Sequence, residues 1–262
     1  MVMIDVHSHI LPDLDDGSKS LDMSMDMAMI YLEEGITKVI ATPHYMDRNT
    51  ALGDIDYSYN TLKEELVNRG IELEVYLGNE ILASMDIVSD IKEGRVYSLN
   101  KTKYVLVEFP MNDVPMFSEH MIYELLLEGF IPVIAHPERN AKIIEDPNIL
   151  YEFIKKGALS QMNLPSLGGR YGEKVRDTAA ILLKNHMVHM VGTDAHSNRG
   201  RSPRIKKSLE ILRSMVSKEE FYDLIKGNGR QLLMDEDIQV RQPIMYEKPR
   251  GWMSVLKRIS TF

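Results

Sequence analysis

Cysteine is absent from the 262 residues. That excludes disulfides, zinc–thiolate sites and iron–sulfur clusters, and it removes the thiolate as a nucleophile. Long apolar runs are missing too: no stretch approaches the roughly 18 residues of a membrane span. The first ten residues, MVMIDVHSHI, carry neither a basic segment nor a long apolar one, so no signal peptide is expected. Positive charge is not in excess. Lys plus Arg is 31 and Asp plus Glu is 39, a net charge of −8, which argues against nucleic acid as a partner. No Gly-rich fingerprint follows the first apolar run, which speaks against a dinucleotide site. Repeats and low-complexity tracts are lacking as well. The expectation left standing is a soluble cytoplasmic protein, with 44% apolar and 27% charged residues as in ordinary globular chains.

Short apolar runs alternate with amphipathic ones. The runs that read as strands are Met3–Val6, Lys38–Thr42, Leu73–Leu77, Tyr104–Phe109, Ile131–Ala135, Leu159–Met162 and Met187–Gly192. Between and after them lie helix-like segments: Leu21–Glu34, Ile55–Arg69, Glu119–Glu128, Asn148–Lys156, Glu173–Asn185 and Pro203–Val216. Gly35, Gly70, Gly129 and Gly157 stand where four of these should stop. Seven strand–helix alternations argue an α/β fold with a parallel sheet, as a (β/α)7 barrel or an open doubly wound sheet. One domain over 1–237 fits. The tail over 238–262 is basic, with Arg241, Lys248, Arg250, Lys257 and Arg258 against Glu247. In it Trp252, Val255, Leu256 and Ile259 mark one face of a short helix, docked on the body or on another subunit. A membrane-surface or regulatory tail is the alternative.

Candidate metal ligands fall where strands end. His7 and His9 close the first strand, and alternate strand residues point the same way, so both imidazoles can serve one centre. Asp13, Asp15 and Asp16 follow in the loop. His44 follows strand two, Glu80 strand three, Glu108 ends strand four, His136 strand five, and Asp194 and His196 strand seven. In a barrel these ends surround one mouth, where active sites are built. So many carboxylates and imidazoles in one cup call for cations. A sulfur-free set of this kind suits Mn, Fe, Zn, Co or Mg without choosing among them. Taken alone, each His or Glu is more economically a satisfied core or surface group; repetition at five or more strand ends makes the metal reading. Arg139 and Arg201 lie in loops at the same mouth, and guanidiniums clamp phosphate. Arg199 reads as a surface residue, and His120, His186 and His189 as structural or surface groups. The Met-rich run from Leu21 to Ile30 reads as core filler.

The motifs His7-Ser-His9, Asp16, Thr42-Pro-His44, Gly78-Asn-Glu80, Glu108, His136-Pro-Glu-Arg139 and Asp194-Ala-His196 resemble the PHP (polymerase and histidinol phosphatase) superfamily. They are most similar to the manganese-dependent bacterial tyrosine-protein phosphatases of the CpsB/CapC type, over about residues 3 to 235. The resemblance implies a distorted (β/α)7 barrel and three divalent metal ions, with manganese expected. Carried over by position, it puts His7, His9, Glu80 and Asp194 on the first ion. Glu80 would bridge to a second shared with Glu108 and His136, and Asp16, His44 and His196 would hold the third. Arg139 and Arg201 would receive phosphate. The implied reaction is hydrolysis of phosphotyrosine in a protein, a bacterial tyrosine kinase of capsule or exopolysaccharide synthesis. With no thiol in the chain, a metal-activated water takes the nucleophile's place. No general acid is evident, Asp13 being unassigned, and the oligomeric state is left open. A histidinol-phosphate type phosphatase, a metal-dependent amidohydrolase and a protein with purely structural metals are the alternatives. Substrate panels, and a closed or open metal coordination, separate them.

Overall fold

The computed structural model describes residues 3–46 and 52–248. The strands are β1 (Met3–Ser8), β2 (Ile36–Ala41), β3 (His44–Tyr45), β4 (Glu74–Leu77), β5 (Glu80–Leu82), β6 (Tyr104–Glu108), β7 (Ile131–Ala135), β8 (Leu159–Asn163) and β9 (Met190–Gly192). The helices are α1 (Leu21–Glu33), α2 (Leu52–Asn68), α3 (Ile87–Lys92), α4 (Ser118–Leu127), α5 (Ala141–Glu145), α6 (Asn148–Lys155), α7 (Leu164–Leu167), α8 (Glu173–Lys184), α9 (Lys206–Met215), α10 (Lys218–Tyr222) and α11 (Asn228–Leu233).

Every strand pairing is parallel, in the orders β1-β2-β4 and β3-β5-β6-β7-β8-β9. Two of the seven expected strands are each followed by a further short strand, β3 and β5. The second breaks at Thr42-Pro43, where proline has no N–H to give the ladder. The third breaks at Gly78-Asn79. Across both breaks the chain stays joined, through Gly78 N–H to Ala41 O at 2.9 Å and Glu80 N–H to Pro43 O at 3.2 Å. The first and last strands meet at an isolated Ser8–Ala195 bridge, flanked by Asp194 N–H to His7 O and His9 N–H to Ala195 O, both 2.9 Å. The α/β class and the sequential parallel order are therefore as expected. The pairing itself runs in two arcs, not in an unbroken ring.

Register explains which side chains face inward. β1 carries a bulge: three steps from Asp5 to Ser8 oppose two from Val39 to Ala41. Before it, Ile4 and Val6 join Ile40, Leu106, Val133, Leu159 and Met190 in one buried apolar cluster. The extra residue shifts the alternation, so His7 and His9 turn to that same face while Ser8 turns away. Ser8 instead accepts from Tyr31 Oη of α1 at 2.6 Å. Tyr31 Oη also lies 3.1 Å from Thr193 Oγ1, and Thr193 donates to Asp5 through its hydroxyl (2.5 Å) and its amide (2.9 Å). This buried knot joins β1, α1 and the end of β9. Burial pushes the Asp5 carboxyl up to about 6, against the hydrogen bonds from Thr193. Helices pack on the other face of the strands. Met25 and Met27 are buried there and Met29 is half-exposed, so the methionines of α1 are core filler.

Differences from the expected elements sit at ends and in short pieces. The last strand starts at Met190 rather than Met187, and α9 starts at Lys206 rather than Pro203. The short α3, α5, α7, α10 and α11 carry too few turns to show a period in sequence. After Leu233 the described chain has no further regular element, but it stays on the body. Ile244 N–H bonds Asn185 O at 2.9 Å, and Tyr246 exchanges hydrogen bonds with the Asn148 side chain. The expected helical face of Trp252, Val255, Leu256 and Ile259 lies outside the described residues, as does Arg250.

Candidate metal centre

Glu80 is the hub. It is 1% exposed, and its Oε2 lies 3.2 Å from His7 Nε2, 3.1 Å from His9 Nε2 and 3.1 Å from His44 Nδ1. Its other oxygen lies 2.9 Å from His136 Nε2. The pairing register places it there: His44 pairs with Glu80 and Glu80 with Leu106, so all three share the inward face. Glu108, two residues beyond Leu106, follows on that face with Oε1 3.4 Å from His136 Nε2 and Oε2 3.9 Å from His44 Nδ1. Asp194 Oδ1 lies 3.6 Å from His7 Nε2, 3.5 Å from His9 Nε2 and 3.4 Å from His196 Nδ1. At the rim, Asp16 Oδ1 lies 3.2 Å from His196 Nε2 and 3.4 Å from His44 Nε2.

All nine expected ligands thus come together. Three sets have donor atoms close enough to share an ion: His7–His9–Asp194, His9–Asp16–His44–His196 and His44–Glu80–Glu108. The first is the expected grouping without Glu80, and the second is the expected grouping with His9 added. In the third, His44 stands where His136 was expected, although His136 touches both carboxylates of that set. His136 and Asp194 hold left-handed backbone, with φ of 30° and 50°. That conformation is costly for residues other than glycine and clusters at functional sites.

The donor chemistry fits divalent cations. Glu80 Oε2, Asp194 Oδ1, His44 Nδ1 and His196 Nε2 are buried against charged neighbours without a well-aligned hydrogen bond among the described residues. Buried ionic atoms in that state call for metal. With protons as the only cations, the carboxylates recruit imidazolium. Burial opposes charge on His9, but hydrogen bonds to Asp15 and Glu80 outweigh it and lift its pKa to about 10. His136 is lifted to about 10 against burial by Glu108 and Glu80. Burial pushes Asp194 up, but His7, His136 and Arg201 hold it below the usual carboxylate range. His196 and His44, close to its carboxylate, do the same for Asp16.

Around the ligands stand groups the sequence reading did not single out. His7 Nδ1 lies 2.8 Å from Gln161 Oε1, so that nitrogen carries the proton and Nε2 is left to coordinate. Gln161 Nε2 donates to Asn163 Oδ1 at 3.0 Å, and Asn163 Nδ2 donates to Asp194 Oδ2 at 2.6 Å. One amide relay on β8 therefore links two of the candidate ligands. On the second imidazole, His9 Nδ1 donates to Asp15 Oδ2 at 2.7 Å, and Asp15 also accepts from the amides of Gly17 and His44. Burial raises the Asp15 carboxyl, yet His9 brings it to about 2. A Cβ at Gly17 would meet His9 O at 2.4 Å, so only glycine lets the Asp15 loop fold onto His9. Glu138 is buried and accepts from Asn163 N–H and Ser166 Oγ, fixing the end of β8. The Gln161-x-Asn163 alternation around the apolar Met162 was the available signal; no imidazole or acid drew attention to it.

Both arginines reach the cup, and both rest on Asp194. Arg139 Nη1 donates to Asp194 Oδ2 at 2.6 Å and Arg201 Nη2 lies 2.7 Å from Asp194 Oδ1. Arg199 is exposed, His120 is paired with Glu124 on the surface, and His189 is buried, accepting from Ser160 N–H. Asp13 is exposed and outside the ligand cluster.

Parallel strands whose C-terminal ends hold imidazoles and carboxylates around shared cations define a class, the metal-dependent α/β hydrolases. Within it the chain belongs to the CpsB/CapC family, whose model, described as "Capsular polysaccharide synthesis, CpsB/CapC", matches residues 3–234. It is 37% identical over 257 residues to the tyrosine-protein phosphatase YwqE of Bacillus subtilis, covering 95% of this chain and all of that one. It is 32% identical over 256 residues to the putative tyrosine-protein phosphatase CapC of Staphylococcus aureus, covering 97% and 100%. A solved structure from work on YwqE and on CpsB of Streptococcus pneumoniae, described as unique metal-dependent tyrosine phosphatases, superposes with a TM-score of 0.89. That match has 35% identity and covers 94% of this chain and 100% of that one.

Proposed function

We propose that this protein is a metal-dependent protein-tyrosine phosphatase acting in the cytoplasm on a bacterial tyrosine kinase of capsule or exopolysaccharide synthesis. The observation that carries the chemistry is Glu80, buried among four imidazoles, with two guanidiniums on Asp194 in the same cup and no thiol in the chain. The names of the relatives supply the substrate class. Among the described residues no helix is long and apolar enough to cross a membrane. The same proposal takes 1–237 as the phosphatase domain and 238–262 as a basic tail; among the described residues the last helix ends at Leu233.

His7, His9, Glu80 and Asp194 would hold one ion, Glu80 with Glu108 and His136 a second, and Asp16, His44 and His196 a third. Manganese is the expected metal. Divalent ions held there would supply Lewis-acid charge, lowering the pKa of water to about 7 and polarising the phosphoryl group. The chain's own part is binding and orientation. Arg139 and Arg201 can pass from Asp194 to the phosphoryl oxygens and neutralise them as charge builds. Gln161 and Asp15 keep the Nδ1 protons on His7 and His9, leaving Nε2 basic. A phenolate leaving group, with a pKa near about 10, needs little protonation.

The test is metal analysis of the purified protein together with turnover of a phosphotyrosine peptide and of histidinol phosphate. Expected are bound divalent ions and hydrolysis of the peptide, lost on Glu108→Ala or His136→Ala with the fold retained. Activity that survives thorough chelation sinks the metal chemistry, and preference for histidinol phosphate sinks the substrate.

A further inference from the structure

The loop between α7 and α8 carries a tyrosine that the ligand scheme leaves unused. Tyr171 lies between Gly169 and Gly172, whose φ of +83° and +95° are conformations that L side chains rarely adopt. Those turns bring its ring against Arg139, with Cζ 4.5 Å from the ring centroid. Its neighbour Arg170 donates from Nη1 to Ser202 O at 3.0 Å, tying the loop to the one that follows Arg201. Tyr171 therefore stands where the two arginine loops meet.

Its hydroxyl is buried and has no hydrogen-bond partner among the described residues. The Nε of Arg201 is in the same state. A buried hydroxyl without a partner is costly, and native structures rarely leave one without a reason. Burial, and then the charge of Asp194, raise the phenol's pKa against the pull of Arg201 and Arg139. The group is thus a neutral donor at pH 7, close to an acid and two cations. Two guanidiniums plus one phenolic O–H form a donor set suited to a tetrahedral oxyanion with several oxygens to satisfy.

We propose that Tyr171 is a third phosphate-contacting residue: its ring braces Arg139, and its hydroxyl donates to an oxygen of the phosphoryl group clamped by Arg139 and Arg201. The assignment rests on the phosphatase reading, so its test measures binding separately from turnover.

Manganese-loaded full-length protein, Tyr171→Phe and Tyr171→Leu are titrated with inorganic phosphate in a calorimeter, and kcat and KM are measured on a phosphotyrosine peptide. Phenylalanine keeps the ring against Arg139 and removes only the hydroxyl. Expected is phosphate binding about tenfold weaker or more in Tyr171→Phe, the loss typical of one hydrogen bond to a charged group. Tyr171→Leu should lose more, with metal content unchanged in both. Phosphate bound equally by Tyr171→Phe and the parent overturns the inference, even if the parent hydrolyses the peptide. Tyr171-dependent phosphate binding in a protein that leaves phosphotyrosine intact upholds the contact and overturns the substrate proposed above.

Discussion

Replacing Gln161 by leucine tests the idea that the metal centre depends on amides two bonds removed from the ions. Gln161 and His7 are fully buried, and their 2.8 Å contact is the only polar one that His7 Nδ1 makes among the described residues. Leucine is close to glutamine in size, so the packing change is small. The polar change is not. It leaves the His7 Nδ1–H without an acceptor, at about 1–3 kcal/mol. The ring could then escape by moving the proton to Nε2, the atom that faces Glu80 at 3.2 Å. It also removes the donor to Asn163 Oδ1, loosening the amide that holds Asp194. Partners that orient metal ligands are typically worth 10–100-fold in metal affinity, or roughly 1.4–2.7 kcal/mol, which agrees with the first figure. Manganese affinity should fall by that factor in a chelator-competition titration. Thermal unfolding in excess chelator should show a cooperative transition in parent and variant alike. Equal metal affinity in the two proteins would refute the relay.

Metal loading should expel protons. His9 and His136, lifted from 6.5 to about 10, are charged at pH 7 in the metal-free protein, and a coordinating imidazole must be neutral. Affinity should therefore rise with pH and collapse in acid; calorimetry in two buffers of different ionisation enthalpy reads about two protons released, and none released contradicts the assignment. Gly192→Ala should destabilise by about 1–3 kcal/mol and weaken metal binding, because its Cβ would sit 2.8 Å from His7 Cβ and 2.9 Å from Gln161 Nε2. A melting temperature and metal affinity like the parent's would show that β9 yields more freely than its contacts allow. Arg139→Ala should lower kcat/KM on phosphotyrosine peptide by about 100-fold, the loss of one charge-assisted contact to phosphate. Unchanged kinetics would remove Arg139 from the clamp.

The cluster of candidate ligands could be read in sequence because each is a titratable residue set at or near the end of an apolar run, and strand ends converge in this fold class. Glu108 stood out for that reason and proves mostly buried, at 14% exposure. The short strands β3 and β5 could not be read, since each lies beyond the Pro43 or Gly78 that ends an apolar run and is only two or three residues long. Gln161, Asn163 and Asp15 were passed over on other grounds. Amides carry no charge that demands explanation, and three clustered aspartates look alike until distance shows that Asp15 meets His9 while Asp16 meets His196. The resting place of Arg139 and Arg201 on Asp194 was likewise beyond a one-dimensional reading. It follows from a carboxylate surplus in the cup, not from any motif.

The bulge in β1 makes the six residues from Met3 to Ser8 serve two neighbourhoods that a regular strand could not serve together. Asp5 and Ser8 belong to the polar knot under α1, whereas His7, lying between them, belongs to the cup. Edits to this strand should therefore divide sharply by kind. A change of side chain alters one neighbourhood, but a change of chain length exchanges the two, sending imidazole toward the helix layer and hydroxyl toward the ions. Natural drift in β1 can thus exchange residues outside the cup and the knot but is barred from gaining or losing one.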